Sequence, residues 1–344
     1  MKKKTFRYLA FLAVLMMWSG CNDDNSGDSQ IQVKMNVSLD FTPEEPLTSN
    51  TRRGENNTRA GEERTFRRRF IVDAYSNDDK TTPAARKIII FDLDEEGENG
   101  NSFRLPVEMQ LQEKEYSLVV WSDYVEMSTG SDYFYNTNTL SQVSCMPDYF
   151  PNNAYREAHS GVISLNLAAY DRSVGSRMEV EVNMRRALAP LSLQVADYQQ
   201  LVEKVGGDET ILKDAIVTIT YAAPFTGFNV LTMQPVASFR ALTFSVPLVS
   251  PKQNEDNVEL LKDYMFVGTS EELSRVQVSM TVQTADGSVL NKVENLSIPF
   301  KRGFLTTVKG NFLTSSFTAG LDVNIEFDED DKIYDLDSEQ PVNK

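Results

Sequence analysis

The sequence predicts an all-β protein built from antiparallel β-sandwiches in two comparable halves, with few and short helices. Many segments alternate apolar and polar residues with a period of two, which is typical of half-buried strands. Turn residues separate these segments at short intervals, as in sandwich folds. The chain has 344 residues, of which 41% are apolar, so it can bury a sizeable core without metals or disulfides.

The N-terminus predicts export of the chain. Basic residues precede an apolar stretch at 8–18, which is too short to cross a bilayer as a helix. Ser19 and Gly20 come next and are followed by Cys21, an order that resembles the lipobox of bacterial lipoproteins. We expect residues 1–20 to be removed as a signal peptide and Cys21 to carry lipid such as palmitate. A plain signal peptide with an incidental cysteine is the alternative.

Charge and composition exclude several function classes. The chain carries 34 basic and 50 acidic residues, so a nucleic-acid partner is not expected. Residues 22–28 are polar and acidic, which predicts a disordered tether. This tether resembles the acidic export tag of lipoproteins displayed on the outer membrane, and a simple spacer is the alternative. The chain has two cysteines and one histidine, which excludes a disulfide scaffold and most histidine-based metal sites.

The first predicted strand covers residues 31–41. Its apolar positions are Ile31, Val33, Met35, Val37, Leu39 and Phe41. Loop composition follows, and seven arginines make 51–69 a local inversion of charge in an acidic chain. These candidates for cleavage by an arginine-specific protease are Arg52, Arg53, Arg59, Arg64, Arg67, Arg68 and Arg69. A basic surface loop that balances an acidic body is the alternative.

Short strands account for most of the remaining chain. They are predicted at 87–91, 103–112, 116–121, 163–167, 178–184, 187–195, 215–222, 239–249, 264–268, 275–284, 289–300, 304–314 and 321–327. Helices are predicted at 197–205 and 256–262. The predicted organisation is a signal, a segment 21–70 with the tether, first strand and Arg-rich loop, an N-terminal sandwich domain at 71–183, and a C-terminal one at 184–344 with an acidic tail.

The last predicted strand has the same two-residue apolar period as the first. Its apolar positions are Leu321, Val323, Ile325 and Phe327. A cut in the Arg-rich loop frees the first strand to leave, which exposes an apolar groove and unpaired backbone. A matching strand from another molecule can fill that groove by strand addition. We therefore predict a displaced strand at 31–41 and a donor strand at 321–327, while two ordinary sandwich strands are the alternative.

Candidate chemistry elsewhere in the chain favours structural roles. The acidic segment 92–97 resembles the start of a calcium loop, but Phe103 stands where the last ligand belongs, so a hairpin loop is predicted. The acidic run 328–331 is typical of a solvated tail. We expect His159 to be a surface or loop residue and Trp121 to pack in a core. The sequence thus predicts no catalytic residue, metal or cofactor, and the chain is not expected to be an enzyme.

Three segments, at 116–124, 180–189 and 300–314, resemble a known family. They are similar to fimbrillins, the lipoprotein pilins of type V pili in Gram-negative anaerobes, and to their Mfa-like relatives. The resemblance implies two transthyretin-like β-sandwich domains in tandem, export as a lipoprotein and cleavage after an arginine. It also implies polymerisation with other pilin subunits by donor-strand exchange.

These observations predict a structural subunit of a fimbria at the outer membrane and cell surface, with a role in cell adhesion. The alternative is a monomeric surface lipoprotein that keeps its first strand and binds a host or glycan ligand. The sequence leaves open whether a pilin of this kind serves as stalk, tip or anchor.

Overall fold

The computed structural model describes residues 30–40, 66–91, 102–149, 151–171, 173, 177–236, 240–251, 258–268, 273–315 and 323–328. Within them the chain forms strands and short helices, in agreement with the predicted all-β class. The strands are β1 (Gln30–Asp40), β2 (Phe66–Ser76), β3 (Ala85–Phe91), β4 (Ser102–Gln112), β5 (Glu115–Glu126), β6 (Tyr135–Asn136), β7 (Val143–Cys145), β8 (His159–Asn166), β9 (Arg177–Arg186), β10 (Leu188–Val195), β11 (Ile216–Ala222), β12 (Gly227–Asn229), β13 (Gln234–Val236), β14 (Leu242–Pro247), β15 (Val258–Phe266), β16 (Ser274–Gln283), β17 (Val289–Phe300), β18 (Leu305–Gly310) and β19 (Val323–Asp328).

The N-terminal strands form a sheet in the order β3-β2-β5-β8-β9-β1-β4. The strand β9 belongs to two ladders, because residues 177–184 pair with β1 whereas Arg185 and Arg186 pair with β8. The inward side chains of β1, β4 and β9 therefore pack against those of β2, β5 and β8 around one apolar core. The pairing of β1 with β9 is parallel, unlike the antiparallel arrangement that the sequence predicts. Parallel neighbours need a long crossover connection, and a long stretch of chain separates these two strands.

The C-terminal strands form two four-stranded sheets around a second core. Their orders are β15-β10-β18-β19 and β14-β11-β16-β17. The chain leaves the first sheet at Arg186 and enters the second group at Leu188. The predicted N-terminal unit at 71–183 differs from this sheet at both ends, because β1, the start of β2 and the end of β9 also belong to it.

One helix prediction is correct and the other is wrong. The helix α1 (Tyr198–Lys204) ends before Gly206 and Gly207, which have positive φ angles of 85° and 79°. Within the predicted helix at 256–262, the described residues 258–262 are instead the start of β15, which pairs antiparallel with β10. This segment is short, and its apolar residues are buried against the second core, so tertiary packing overrides a weak helical pattern.

An aromatic junction joins the two groups of strands. The short strands β13, β12, β7 and β6 form a small sheet whose members come from both halves of the chain. Trp121 is fully buried there, with its ring centroid 5.6 Å from that of Tyr135 and 6.4 Å from that of Phe266. The prediction that Trp121 packs in a core is confirmed. Arg156 binds the buried carboxylate of Asp263 on β15, which also accepts a hydrogen bond of 2.8 Å from the Tyr149 hydroxyl.

Candidate functional site

The first strand lies in a groove between two other strands. The whole of β1 pairs antiparallel with β4, and residues 32–39 also pair parallel with β9. The strict alternation of its side chains places one set in the core and the other toward solvent. This groove, formed by β4, β9 and the core beneath them, is the candidate functional site.

The apolar face of β1 is buried almost completely. The residues of the predicted displaced strand that lie in the core are Ile31, Val33, Met35, Val37 and Leu39, each with no more than 1% of its surface exposed. Phe41, the sixth, lies outside the described residues. Burial of each such side chain contributes roughly 1.5–3 kcal/mol. Their sum is comparable with the whole stability of a domain, about 5–15 kcal/mol, so a groove without β1 needs another occupant.

The polar face of β1 is bound by side chains of the groove walls. Gln32 donates a hydrogen bond of 3.3 Å to Glu108 on β4, and the Lys34 ammonium lies 3.8 Å from the Glu179 carboxylate on β9. The Ser38 hydroxyl donates a hydrogen bond to the amide oxygen of Asn183. These contacts fix the register of β1 on the side away from the core.

The structure corrects part of the predicted Arg-rich loop. Arg67, Arg68 and Arg69 lie in β2 and pair with β5, and the last two are buried. The Arg69 guanidinium donates two hydrogen bonds to the Asp123 carboxylate, of 2.9 and 2.7 Å. Residues held in a strand ladder do not fit the extended site that a protease needs, so the predicted loop ends before these three arginines. The other cleavage candidates, which lie outside the described residues, are Arg52, Arg53, Arg59 and Arg64.

The start of β2 is anchored by an aromatic cluster. Phe66 is 6% exposed, and its ring centroid lies 5.0 Å from those of Tyr133 and Phe134 and 4.8 Å from that of Tyr155. A cut in the chain before Phe66 therefore leaves β2 attached to the body of the fold. Only the segment between β1 and β2 joins the groove strand to the rest of the described chain.

A buried polar cluster, formed by Arg68, Glu157, His159 and Arg186, ties β2 and β8 to the end of β9. The Arg68 guanidinium lies 2.8 Å from His159 Nδ1, and the Arg186 guanidinium donates a hydrogen bond of 2.7 Å to Glu157. His159 is 6% exposed, so the prediction of a surface or loop residue is wrong. Its polar partners come from distant parts of the chain, which no local sequence pattern reveals.

The polar cluster keeps His159 neutral. Burial lowers its pKa to about 3, and the charges of Arg68 and Arg186 act in the same direction, against the opposing effect of Glu157. Burial would raise the pKa of Glu157, but the charge that His159 carries when protonated and the guanidinium charges of Arg186 and Arg68 outweigh it and lower that pKa to about 2. The cluster is thus a charged carboxylate between cations, with a neutral imidazole that accepts from Arg68.

The predicted donor strand lies in the other half of the molecule. Residues 323–328 form β19, an edge strand that pairs antiparallel with β18 of the same chain. Val323, Ile325 and Phe327 fall within this strand, and Leu321 lies outside the described residues. The structure therefore places the predicted displaced and donor strands in separate sheets, and their exchange stays a prediction.

The remaining sequence candidates are two acidic segments, at 92–97 and 328–331. The segment 92–97 and most of the acidic run 328–331 lie outside the described residues. Within the described part of the chain, no three His, Cys, Asp or Glu side chains come together in a way that could hold a metal ion. The same part contains no helix long and apolar enough to cross a membrane.

Residues 26–341 match the model of a protein family. Its description is a family of unknown function, DUF6562. The chain belongs to DUF6562. No curated protein sequence matches this DUF6562 chain.

Solved structures that are similar to this structure include fimbrial proteins. A candidate polysaccharide-binding protein (DUF1812) from Bacteroides thetaiotaomicron is 10% identical, with a TM-score of 0.46, and the match covers 86% of this chain and 98% of that one. A fimbrial assembly protein from Parabacteroides distasonis is 12% identical, with a TM-score of 0.40 and coverages of 87% and 99%. The fimbrial anchor protein Mfa2 from Porphyromonas gingivalis is 10% identical, with a TM-score of 0.41 and coverages of 87% and 97%. At these identities, no functional residue of those proteins is assigned to a position in the DUF6562 chain.

Proposed function

We propose that this DUF6562 chain is a non-enzymatic structural subunit of a cell-surface fimbria, with two transthyretin-like β-sandwich domains in tandem. A lipid on Cys21 holds it at the outer membrane after residues 1–20 are removed. Cleavage in the segment 41–65 then releases β1, and a strand of another pilin subunit takes its place.

The observation that supports this proposal most strongly is the attachment of β1. The strand is embedded between β4 and β9, yet only the segment 41–65 connects it to the rest of the described fold. A single cut in that segment leaves β1 held by non-covalent contacts alone. The anchored start of β2, at Phe66, keeps the other end of the cut in place.

The emptied groove has a strong tendency to bind a strand. Without β1, the facing backbone groups of β4 and β9 lose their ladder partners, and the core beneath loses five buried side chains. Unpaired strand edges over an apolar surface bind other chains in extended conformation. An incoming strand with the same two-residue apolar period replaces both the ladder and the buried surface.

Variants of the native protein test the cleavage step. We expect subunits in the sheared surface fraction to form an SDS-resistant ladder and to start after Arg52, Arg53, Arg59 or Arg64. Substitution of these four arginines by lysine keeps the charge and removes every proposed cleavage site in the segment 41–65, so the ladder should disappear. Arg104→Lys, at an exposed position on β4, is the matched control.

The opposite result favours the monomeric surface lipoprotein. A mature protein that begins at Cys21, keeps β1 and gives no ladder in the wild type contradicts the fimbrial proposal. A ladder that survives the four lysine substitutions contradicts the proposed cleavage sites.

The lipid anchor has its own test. We expect Cys21→Ser to abolish the incorporation of labelled fatty acid and to release the protein from the membrane fraction. The matched control is Cys145→Ser, which alters a cysteine of β7 beside the aromatic junction and should leave labelling unchanged. Unchanged labelling of the Cys21→Ser protein would contradict the proposed anchor.

A further inference from the structure

Two acidic side chains flank the middle of β1 on its solvent side. The register places Lys34 opposite Glu108 on β4 and opposite Glu179 on β9. The side chains are 29%, 50% and 59% exposed, in that order, so all three groups sit at the rim of the groove. Because the acids belong to the walls, they remain when β1 leaves.

The rim around this position keeps an excess of negative charge. Arg177 lies 3.6 Å from Glu108 and 3.4 Å from Glu179, and the Lys87 ammonium donates a hydrogen bond of 3.2 Å to the backbone carbonyl of Glu108, so two cations lie near the acids. A third acid, Glu181, is the next outward residue of β9 after Glu179 and lies opposite Asn36 of β1. The outward residues of β1 suit this rim, because the only charge among Gln32, Lys34, Asn36 and Ser38 is positive.

The chain's own C-terminal strand offers the opposite charge. If its apolar residues enter the core, its outward residues are Asp322, Asn324, Glu326 and Asp328. An acid at the position of Lys34 would stand between two acids. If Asn324 takes the position of Lys34, an acid still lies beside Glu181. This acid is Glu326 when the strand runs parallel to β9, and Asp322 when it runs in the opposite direction. Like charges directly opposite in a sheet are destabilising.

We propose that the acid pair Glu108 and Glu179 selects the occupant of the groove. The preferred donor is an extended strand with apolar residues at every second position and a lysine or arginine between the two acids. The chain's own C-terminal strand is then a poor occupant, so the partner is a subunit of different sequence. This inference rests on the proposed function, because it needs β1 to be replaced.

The expected preference is moderate, since the groups are partly exposed. An ion pair at such a site changes an equilibrium constant roughly two- to fivefold. Replacing a neutral residue by a basic one opposite both acids should therefore favour binding about fivefold at low salt. Salt at about 1 M shortens the screening length to about 3 Å and should remove most of the preference.

Peptide displacement from the nicked full-length chain tests the proposal. A site for a sequence-specific protease is introduced between residues 42 and 64, and the folded chain is cut so that β1 stays bound without a covalent link. Excess peptide with the sequence of residues 320–328 then competes with β1, in parallel with the same peptide carrying Asn324→Lys. The fraction of the β1 fragment that dissociates is measured by mass spectrometry.

Two matched protein variants show whether the acids cause the preference. Glu108→Gln with Glu179→Gln removes both charges from the rim, and Glu203→Gln removes an exposed charge from α1 in the other half of the chain. We expect the lysine peptide to displace β1 about fivefold more effectively in the starting protein and in the Glu203 control. In the double variant the two peptides should compete equally.

Each other outcome overturns the inference. Equal competition by both peptides in the starting protein shows that the acids do not select the donor, while the proposed function stands. If the preference for the lysine peptide persists in the double variant, Glu108 and Glu179 do not cause it. If no peptide displaces β1, including the sequence of residues 30–40 itself, the groove does not exchange strands, and the proposed function fails together with the inference.

Discussion

The first and last described strands have the same alternating pattern but occupy opposite positions in the fold. β1 lies inside a sheet with a partner on each side, and its apolar side chains fill the centre of a core. β19 lies at the edge of another sheet with β18 as its one partner. An alternating pattern therefore predicts a strand without predicting its place, and the place determines what the loss of that strand does to the protein.

The largest effect is expected for a charge in the core face of β1. Val37 is fully buried, and Val37→Asp places a carboxylate where no partner exists for it, which should lower the free energy of unfolding by about 4 kcal/mol or more. Gln30→Glu, at the exposed start of the same strand, is the matched control and should change it by less than about 0.5 kcal/mol. Chemical denaturation measures both. A small effect of Val37→Asp would show that β1 is peripheral.

Removal of the edge strand should have a smaller effect. Truncation after Gly320 removes β19, while the second core keeps its buried residues from β18 and the segment after it, such as Val308 and Phe312. We expect a protein that stays folded, because the backbone groups of β18 that lose their partners then lie at a sheet edge, where they can bind water. Circular dichroism and a cooperative unfolding transition check this. An unfolded truncated protein would make β19 as essential as β1.

Acid should weaken the polar cluster that holds the end of β9, and with it one wall of the groove. The pKa of His159 falls from its ordinary 6.5 to about 3 in the folded protein, so below pH 6.5 the unfolded chain binds more protons. Stability is therefore lost as the pH falls, by about 1 kcal/mol between pH 6.5 and 5.5. His159→Gln should remove this dependence, because His159 is the only histidine of the chain. Equal pH profiles for both proteins would contradict the assignment.

The sequence predicts individual strands better than their neighbours. The alternation at 31–41 and 178–184 predicts two half-buried strands, and both are present over the described residues as β1 and β9. Their parallel pairing depends on contacts between distant parts of the chain, which a local pattern cannot contain. The acid pair Glu108 and Glu179 becomes visible only once β4 and β9 are known to flank Lys34.

The buried arginines also show that local composition cannot predict contacts between residues that are distant in sequence. Arg67, Arg68 and Arg69 follow a polar segment, so composition favours a loop. The apolar run that begins at Phe70 and the partners Asp123 and His159 instead extend the strand backward through them. Charged residues enter a core when buried partners compensate them, and those partners are remote in sequence.

Amide hydrogen exchange before and after a cut between β1 and β2 tests the central claim most directly. In the intact protein we expect the amides of residues 31–39 to exchange as slowly as those of β5. After a cut within 42–64, exchange in β1 should become faster while β5 stays unchanged, because β1 then leaves and returns as a separate fragment. If β1 keeps its full protection after the cut, the strand is a permanent part of the sheet, and the account of a replaceable strand is wrong.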